Sequence, residues 1–523
     1  MIPRPLPLAV VDAKGASACD VAAIDAGIPP RALMQRAGTA VAAELVRRFG
    51  DHLAGGVVVA TGPGNNGGDG WVVAHALHAV GVRVRVVECA RALTRDSVAE
   101  REVALAAGVA ATDGAEELLR EGELVAVDAL LGTGLSARSP LHGAIARAVE
   151  LLAERRARGA RLVALDVPTG LDASTGRDVG HLRCDLTVSF GTVKRGQLVS
   201  RGACGEIVVV DIGLGPHTRD AVERMSLATP AWFADALPRI AADAHKGTRK
   251  KVAIVGGAQG MAGAVVLAAR AALRSGAGLV RCVVAPESLR AIQEAEPAAL
   301  AAMWPADGAA LEELCGWADA ILVGPGLGSA GSRDLVTRLL GTWRGPTVLD
   351  ADALNAFAGD VSALRSLLGG RPALLTPHPA EFGRLAGLAV DAVLDDRFEL
   401  PRLLASEVGA AVLLKGVPTV VATPEGTSRV VAEGTPVLAT GGSGDILGGI
   451  AATLLAQTGD SALAGALAAF AHGRAAAAAS VQGVRGHTLD DVLLALPAVW
   501  SLRADPPRPP VLAELPAVGE RAR

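Results

Sequence analysis

Short β-branched runs recur along this chain, each ending in a glycine-rich turn and each followed by apolar residues at helical spacing. VVVATG (57–62) runs into Pro63-Gly64-Asn65-Asn66-Gly67-Gly68-Asp69-Gly70 and then WVVAHALHAV; VAIVGGAQGMAGA (252–264) runs into AVVLAARAALRSGAG. The same rhythm carries VRVRVVEC (82–89), ELVAVDALLGTG (123–134), RLVALDVPTGLD (161–172), LVRCVVA (279–285), AILVGPGLG (320–328), TVLDADALN (347–355), ALLTPHPAE (373–381) and AVLLKG (411–416). Strands that alternate with helices need both sheet faces covered, so the fold class is α/β with open, mostly parallel sheets. In such sheets ligands sit outside the carboxyl ends of the strands.

A chain of 523 residues exceeds what one hydrophobic core organises, so two domains are expected. The rhythm lapses over about 215–240, a stretch with Pro216, Pro230 and Pro238. The expected division is a first domain at 1–222, a linker at 223–239, a second domain at 240–505 and a disordered tail at 506–523. Net charge is −4, Tyr is absent and aromatics make up 2%, which argues against a nucleic-acid surface and its stacking platforms. The six cysteines form no C-x-x-C pair, so neither a zinc site nor a disulfide framework is indicated, and a cytoplasmic location fits. Pro5 and Pro7 interrupt the apolar start, which therefore does not read as a signal peptide, and His472 and Arg474 interrupt the Ala-rich tract 461–481, which reads as a buried helix and not a membrane span.

The stretch ATGGSGDILGGI (439–450) carries the sharpest chemistry. Gly441, Gly442, Ser443 and Gly444 allow consecutive backbone amides to converge, and the helix that follows adds its positive end, so the turn suits a phosphoryl group. Asp445, at its mouth, could take the proton from a hydroxyl attacking phosphorus; the plain alternative is a turn whose Asp caps a helix. In the first half three strand ends carry oxygen ligands beside glycine turns: Asn65–Asp69, Asp128 and Asp166. His378, between two prolines, is open to a substrate contact or an exposed turn. Asp350 and Asp352 are open to a site role or to helix capping. Lys415 after an apolar strand is costly to bury unpaired, which favours a nucleotide-phosphate partner. His75 and His78 read as decoration of a helix face.

PGNNGGDG, VDALLGTG and DVPTGLD, with SFGTVKRGQ (189–197) and VVVDIGL (208–214) after them, resemble the NAD(P)H-hydrate epimerase domain, which implies a Rossmann-like open sheet over about residues 10–220. That resemblance implies a potassium ion held by Asn66, Asp128 and Thr169. It also implies substrate contacts from Asn65, Asn66, Gly67, Gly68 and Asp69, from the turn Gly132, Thr133, Gly134, Leu135, Ser136, Ala137 and Arg138, and from Asp166, which is also the expected catalytic residue. Thr169 stands where that family usually has Ser, and the hydroxyl survives. HKGT, VGGAQGMAGA, ALRSGAGLV, VGPGLG, DADALN, TPHPAE and LLKG, closed by GGSGD, are similar to the nucleotide-dependent NAD(P)H-hydrate dehydratases of the ribokinase-like superfamily, over about residues 240–500. Here the resemblance implies that Ala264, Gly326, Gly328, His378 and Asp445 meet the hydrated dinucleotide. Lys415, Gly416, Val417, Pro418 and Thr419, with Gly441, Gly442, Ser443 and Gly444, would meet ADP or AMP. Asp445 is the catalytic base in this reading. Ala380 stands where that family commonly has Gly.

The expected function is repair of hydrated NADH and NADPH: epimerisation of the R and S hydrates, and ADP-dependent dehydration of the S form with magnesium accompanying the nucleotide. The alternatives are a ribokinase-like small-molecule kinase with an accessory nucleotide-binding domain, and a non-catalytic nucleotide sensor or scaffold. Expected partners are the small molecules alone, with no nucleic acid and no membrane; homo-oligomerisation is left open, as are ADP versus ATP and NAD versus NADP.

Overall fold

The computed structural model describes residues 7–120, 122–134, 140–178, 180–481, 483–503 and 508–518. The chain forms two compact units, one of residues 1–227 with 506–523 and one of residues 228–505.

In the first unit an eight-stranded sheet runs in the order Val511–Leu515, Glu206–Val210, Leu186–Phe190, Arg161–Leu165, Val125–Ala129, Val57–Thr61, Val84–Glu88, Ala110–Asp113. Every neighbouring pair is parallel except the first. The central strands are buried along their whole length, which is why they read as continuous Val/Ala runs without alternation. The chain starts in the middle at Val57–Thr61, moves outward twice, then returns to Val125–Ala129 and continues the other way. The strand order therefore reverses between Val57–Thr61 and Val125–Ala129, and the crevice at their carboxyl ends is where Asn65–Asp69 and Asp128 lie. Helices Ala13–Asp25 and Pro30–Leu53 precede the sheet, the second packing along Asn65–Ala79.

The second unit repeats the scheme. Its strands follow the order Ser428–Val431, Thr419–Ala422, Ala411–Leu414, Ala373–Leu375, Thr347–Leu349, Ala320–Val323, Lys251–Val255, Leu279–Val284, Leu300–Met303. All neighbours are parallel until Thr419–Ala422, which turns back antiparallel on Ala411–Leu414 and forward into Ser428–Val431. Here the reversal falls between Lys251–Val255 and Ala320–Val323, below the GGAQG and GPGLG turns. Helix Ser443–Thr458 packs on three of the central strands and on Ala262–Arg274. Ser461–Ala479 is the one described helix long and apolar enough to cross a membrane by length and composition, and two thirds of its apolar window (67%) is buried in the protein.

Two expectations about organisation are corrected. Segment 223–239 is not a bare linker: it carries strand Met225–Leu227 and helix Pro230–Ala236, whose Phe233 is fully buried and stacks on Phe470 at 4.6 Å. Proline is tolerated at the start of that helix because its missing N–H would have no partner there. Nor is the tail without structure. Val511–Leu515 pairs antiparallel with Glu206–Val210, and Arg508 makes ion pairs with Glu44 and Glu514.

Candidate functional site

Each unit carries its own rim of carboxylates and glycines. In the first, the turn expected at 63–70 is already helix: Asn65–Ala79 begins at Asn65, with Gly64 as its N-cap. Its glycines have helical backbone and serve close packing. A Cβ on Gly67 would lie 2.1 Å from the Gly62 carbonyl oxygen, and one on Gly70 2.5 Å from the Ala129 Cβ. Asn65 is exposed at the helix start, whereas Asn66, Gly67, Gly68 and Asp69 are buried. Burial pushes the Asp69 carboxyl well above its ordinary value, and the Asp166 and Asp20 carboxylates push the same way.

Asp128, at the end of Val125–Ala129, has no exposed surface. The Thr169 hydroxyl donates to its Oδ1 at 2.7 Å, the Thr169 amide to Oδ2 at 2.8 Å, and the Leu130 amide to Oδ1 at 3.2 Å. Burial raises it to about 6, against those hydrogen bonds. No cationic side chain is among the groups that shift it. Asn66 lies beside this cluster through Gly132, whose added Cβ would be 3.5 Å from the Asn66 Oδ1, and the Asn66 Nδ2 is buried without a partner among the described residues. A buried carboxylate, a hydroxyl and an amide oxygen with no compensating cation form a donor set for a hard monovalent ion, so Asn66, Asp128 and Thr169 fit the potassium expected of them. Thr133 and Gly134 follow in the same turn; Leu135, Ser136, Ala137 and Arg138 lie outside the described residues.

Asp166 sits at the end of Arg161–Leu165 with φ of 61°, a left-handed conformation that a non-glycine residue holds only under constraint. The constraint is visible. The Lys194 ammonium, 2% exposed, ion-pairs with its Oδ1, the Phe190 amide donates to the same oxygen at 3.1 Å, and the Gln197 amide donates to the Asp166 carbonyl at 2.6 Å. Lys194 also donates to the Ser189 hydroxyl and the Phe190 carbonyl. Lys194 and Asp20 are participants the sequence reading did not single out. Asp20 keeps exposed surface, yet partial desolvation raises it to about 6, with Lys194 opposing and Asp166 reinforcing the shift. A lysine inside the β-branched SFGTVK run must find a carboxylate if buried, and that signal was available.

In the second unit the GGAQG and GPGLG turns meet. The Gly257 amide donates to the Pro325 carbonyl at 2.9 Å and the Ala258 amide to the Gly326 carbonyl at 2.7 Å. A Cβ on Gly326 would lie 3.2 Å from that of Ala264, and one on Gly328 3.3 Å from that of Ala258, so the two turns bring Ala264, Gly326 and Gly328 into one patch. Helix Ser443–Thr458 opens with Gly442 as its N-cap in the left-handed region, φ 95°, and Asp445 in its first turn. A Cβ on Gly441 would meet nothing, and one on Gly444 only the Lys415 Nζ at 3.3 Å and the Asp350 Oδ2 at 3.6 Å. Lys415 in turn pairs with Asp350 at 2.7 Å and with Glu381 at 3.6 Å. Burial disfavours its charge, but the carboxylates of Asp350 and Glu381 outweigh that and raise its proton affinity. Asp445 is pushed up to about 7, first by burial and then by the Asp350 carboxylate, with Lys415 opposing.

Asp350 therefore belongs to the cluster around Lys415; it is only 2% exposed, and Thr376 donates to its Oδ1 at 2.8 Å. Asp352 instead accepts from the Gly328 amide at 2.8 Å, a turn-bracing role. His378 is the N-cap of helix Pro379–Ala386: its Nδ1 accepts from the Ala380 amide at 3.1 Å, and Glu381 accepts from the His378 amide at 2.8 Å. Half of the His378 side chain remains exposed, and burial of the rest lowers its proton affinity. Ala380 is the second residue of that helix, its amide held by the His378 ring. Of the expected nucleotide loop only Lys415 reaches Gly444. Gly416 accepts from the Thr419 hydroxyl at 2.7 Å, and beyond Val417 and Pro418 the chain enters Thr419–Ala422. Ser443 lies 3.4 Å from the His472 Nε2, a histidine that burial lowers to about 4. Among the described residues no three His, Cys, Asp or Glu side chains form a metal cluster.

Fold and rims define an enzyme of the doubly wound α/β class with one carboxylate-lined crevice in each unit. The NAD(P)H-hydrate dehydratase family matches residues 252–497, and the family of the YjeF-related protein N-terminus matches residues 30–196. The chain is 37% identical over 500 residues to the bifunctional NAD(P)H-hydrate repair enzyme Nnr of Moorella thermoacetica, covering 90% of this chain and 92% of that protein. It is 39% identical to that of Salinibacter ruber, covering 86% and 88%, and 34% identical to that of Escherichia coli, covering 84% of each. A solved ADP/ATP-dependent NAD(P)H-hydrate dehydratase from Bacillus subtilis, co-crystallised with ATP/Mg2+, is 28% identical, covering 52% of this chain and 96% of that one at a TM-score of 0.45. The chain belongs to the family of bifunctional NAD(P)H-hydrate repair enzymes.

Proposed function

We propose that the second unit dehydrates the S hydrate of NADH and NADPH at the expense of ADP, and that the first interconverts the R and S hydrates. One observation carries the reading: the space over Gly444, at a helix N-terminus whose first turn holds Asp445, is bounded by the Lys415 ammonium and the Asp350 carboxylate and by little else. Hydroxide leaves the hydrated ring poorly, whereas a phosphate ester leaves readily once the ring nitrogen donates its electrons. Asp445, near neutrality, takes the proton from the ring hydroxyl, whose oxygen attacks the terminal phosphorus of ADP as AMP departs. The amides of Gly441, Gly442 and Gly444, with Lys415, steady the transferring phosphoryl; the Ser443 amide is taken up by the Thr440 carbonyl. Phosphate then leaves, and loss of the neighbouring ring proton restores the double bond. Magnesium accompanies the nucleotide and offsets phosphate charge.

In the first unit Asp166, held by Lys194, is the group that moves a proton at the hydrate's hydroxyl, with the Asp69 carboxyl, whose proton affinity burial raises, in its field. Asn66, Asp128 and Thr169 would hold potassium, which when bound neutralises Asp128 and ties the 65–69 helix start to the 128–134 and 166–169 turns. Hydrated NADH supplied with ADP or ATP tests the whole reading. Release of free phosphate with recovery of reduced-nicotinamide absorbance is expected; a stable phosphorylated product would mark a kinase instead.

A further inference from the structure

Lys415 does not reach the mouth of the anion hole unaided. Its Nζ lies 2.7 Å from Asp350 and 3.6 Å from Glu381, two carboxylates that are 2% and 6% exposed. Asp350 is itself fixed: the Thr376 hydroxyl, fully enclosed, donates to its Oδ1 at 2.8 Å, the same oxygen that accepts from Lys415. Its other oxygen, Oδ2, is 3.6 Å from the place a Cβ on Gly444 would occupy, next to Lys415 at 3.3 Å. A carboxylate almost wholly withdrawn from solvent is costly, and this one faces the space assigned to an anion, where a carboxylate alone would repel. Its placement is explained if it acts through its neighbours.

We infer that Asp350 is a positioning residue for dehydration: braced by Thr376, it pins the Lys415 ammonium over Gly444 for the nucleotide phosphates. The inference rests on the phosphoryl-transfer reading above. The charged groups facing Asp445 are Asp350 and Asp352 beyond strand Thr347–Leu349, Lys415 beyond Ala411–Leu414, and Glu381 on Pro379–Ala386; His472, on Ser461–Ala479, is held uncharged against Ser443. Asp350 is the strongest of the charged groups acting on Asp445, and its removal leaves Lys415 less opposed, so both consequences lower the proton affinity of Asp445.

The test is the pH dependence of ADP-driven dehydration of the S hydrate by the full chain, with epimerisation of the purified R hydrate as the internal control. For Asp350→Asn we expect the acid limb of kcat/KM to move down by about one pH unit, the plateau kcat to fall about tenfold, and KM for ADP to rise, with epimerisation unchanged. Thr376→Val keeps every charge and removes only the brace; it should raise KM for ADP about threefold and leave the acid limb in place. In a Lys415→Met background Asp350→Asn should add little to the ADP defect. A folded Asp350→Asn enzyme with the parental acid limb and ADP KM overturns the inference; if that variant does not fold, an unchanged ADP KM for Thr376→Val overturns it. Failure of the parental enzyme to release phosphate would instead sink the reading on which it rests.

Discussion

The two units place the same sequence signature, a glycine cluster with a following Asp at the start of a helix, to opposite ends. In NNGGD the glycines are filled in by the protein: Gly67 abuts the Gly62 carbonyl, Gly68 abuts Met34 and the Ser97 backbone, and Gly70 abuts Ala129. In GGSGD, Gly441 faces open space and Gly444 faces only a lysine amine and a carboxylate. The absent Cβ lets helix meet strand in one case; in the other it leaves the backbone at Gly441 and Gly444 uncovered, while Gly442 packs on Leu267 and Leu489. A glycine motif alone therefore does not announce an anion hole; what surrounds it does.

The widest separation of effects should come from activity. Asp445→Asn removes the proposed base and should lower dehydration by roughly 10²–10⁴-fold, both hydrates persisting together while a purified epimer still equilibrates. Asp166→Asn should give the converse result, fast loss of the S hydrate followed by a slow phase at the spontaneous epimerisation rate. Single-phase, complete conversion by Asp166→Asn would remove that residue from the mechanism. Gly444→Val should cost dehydration about 10²–10³-fold by closing the approach to the amides.

The glycine contrast itself is sharpened by stability. Gly67→Ala places a Cβ 2.1 Å from a backbone oxygen, so the helix must shift; a loss of about 3 kcal/mol, or a fall of roughly 6–12 °C in Tm of the first unit, is expected. Gly441→Ala, with an open position, should stay within about 0.5 kcal/mol of the parent. Equal losses from the two would end the distinction drawn here.

Smaller is the expected effect of the tail. A chain ending at residue 505 loses strand Val511–Leu515 and the Arg508 ion pairs with Glu44 and Glu514. A loss of about 1–3 kcal/mol in the first unit is expected, restored by the 506–518 peptide added in trans. Glu44 is lowered to about 2 because the hydrogen bonds from Arg508, Arg47 and Arg48 outweigh its burial. Its folded value lies below the unfolded one, so its contribution is present above about pH 4.5 and is lost toward pH 2. The gap between full and truncated chains should narrow over that window, and a gap that does not change would show that strand pairing alone holds the tail.

The smallest shift concerns the cost of the second site. Asp445 is raised to about 7, so it binds its proton more tightly folded than unfolded and withdraws stability as pH rises from about 4 to 7. Asp445→Asn should accordingly melt a few degrees higher than the parent at pH 8 and within about a degree of it at pH 4, measured by calorimetry in the absence of nucleotide. A variant no more stable at pH 8 would mean that the carboxylate is solvated in the folded protein.

Much of this organisation is local and therefore readable in one dimension. Buried parallel strands write themselves as Val/Ala/Leu runs, helices as the 3.6-residue recurrence, and turns as glycine, so the α/β class, the two sheets, the strand-end positions of Asp128 and Asp166 and the helix-start position of Asp445 followed from residue order. Strand Leu300–Met303 did not, since LAAM suits a helix equally well until a sheet edge lies beside it. Helix Pro230–Ala236 hid behind its prolines, and the 511–515 strand within a Pro-rich tail, because what orders each is packing against residues far away in sequence. The charge pairs were equally out of reach: Lys194 precedes its partner's helix partner Gln197 by three residues but bonds Asp166, 28 positions back, and Lys415 bonds Asp350, 65 positions back. Sequence determined which groups are present and which strand ends carry them. Only the tertiary structure decided which carboxylates share a buried space, and desolvation there, not residue identity, sets whether each one holds a cation, keeps its proton or gives it up.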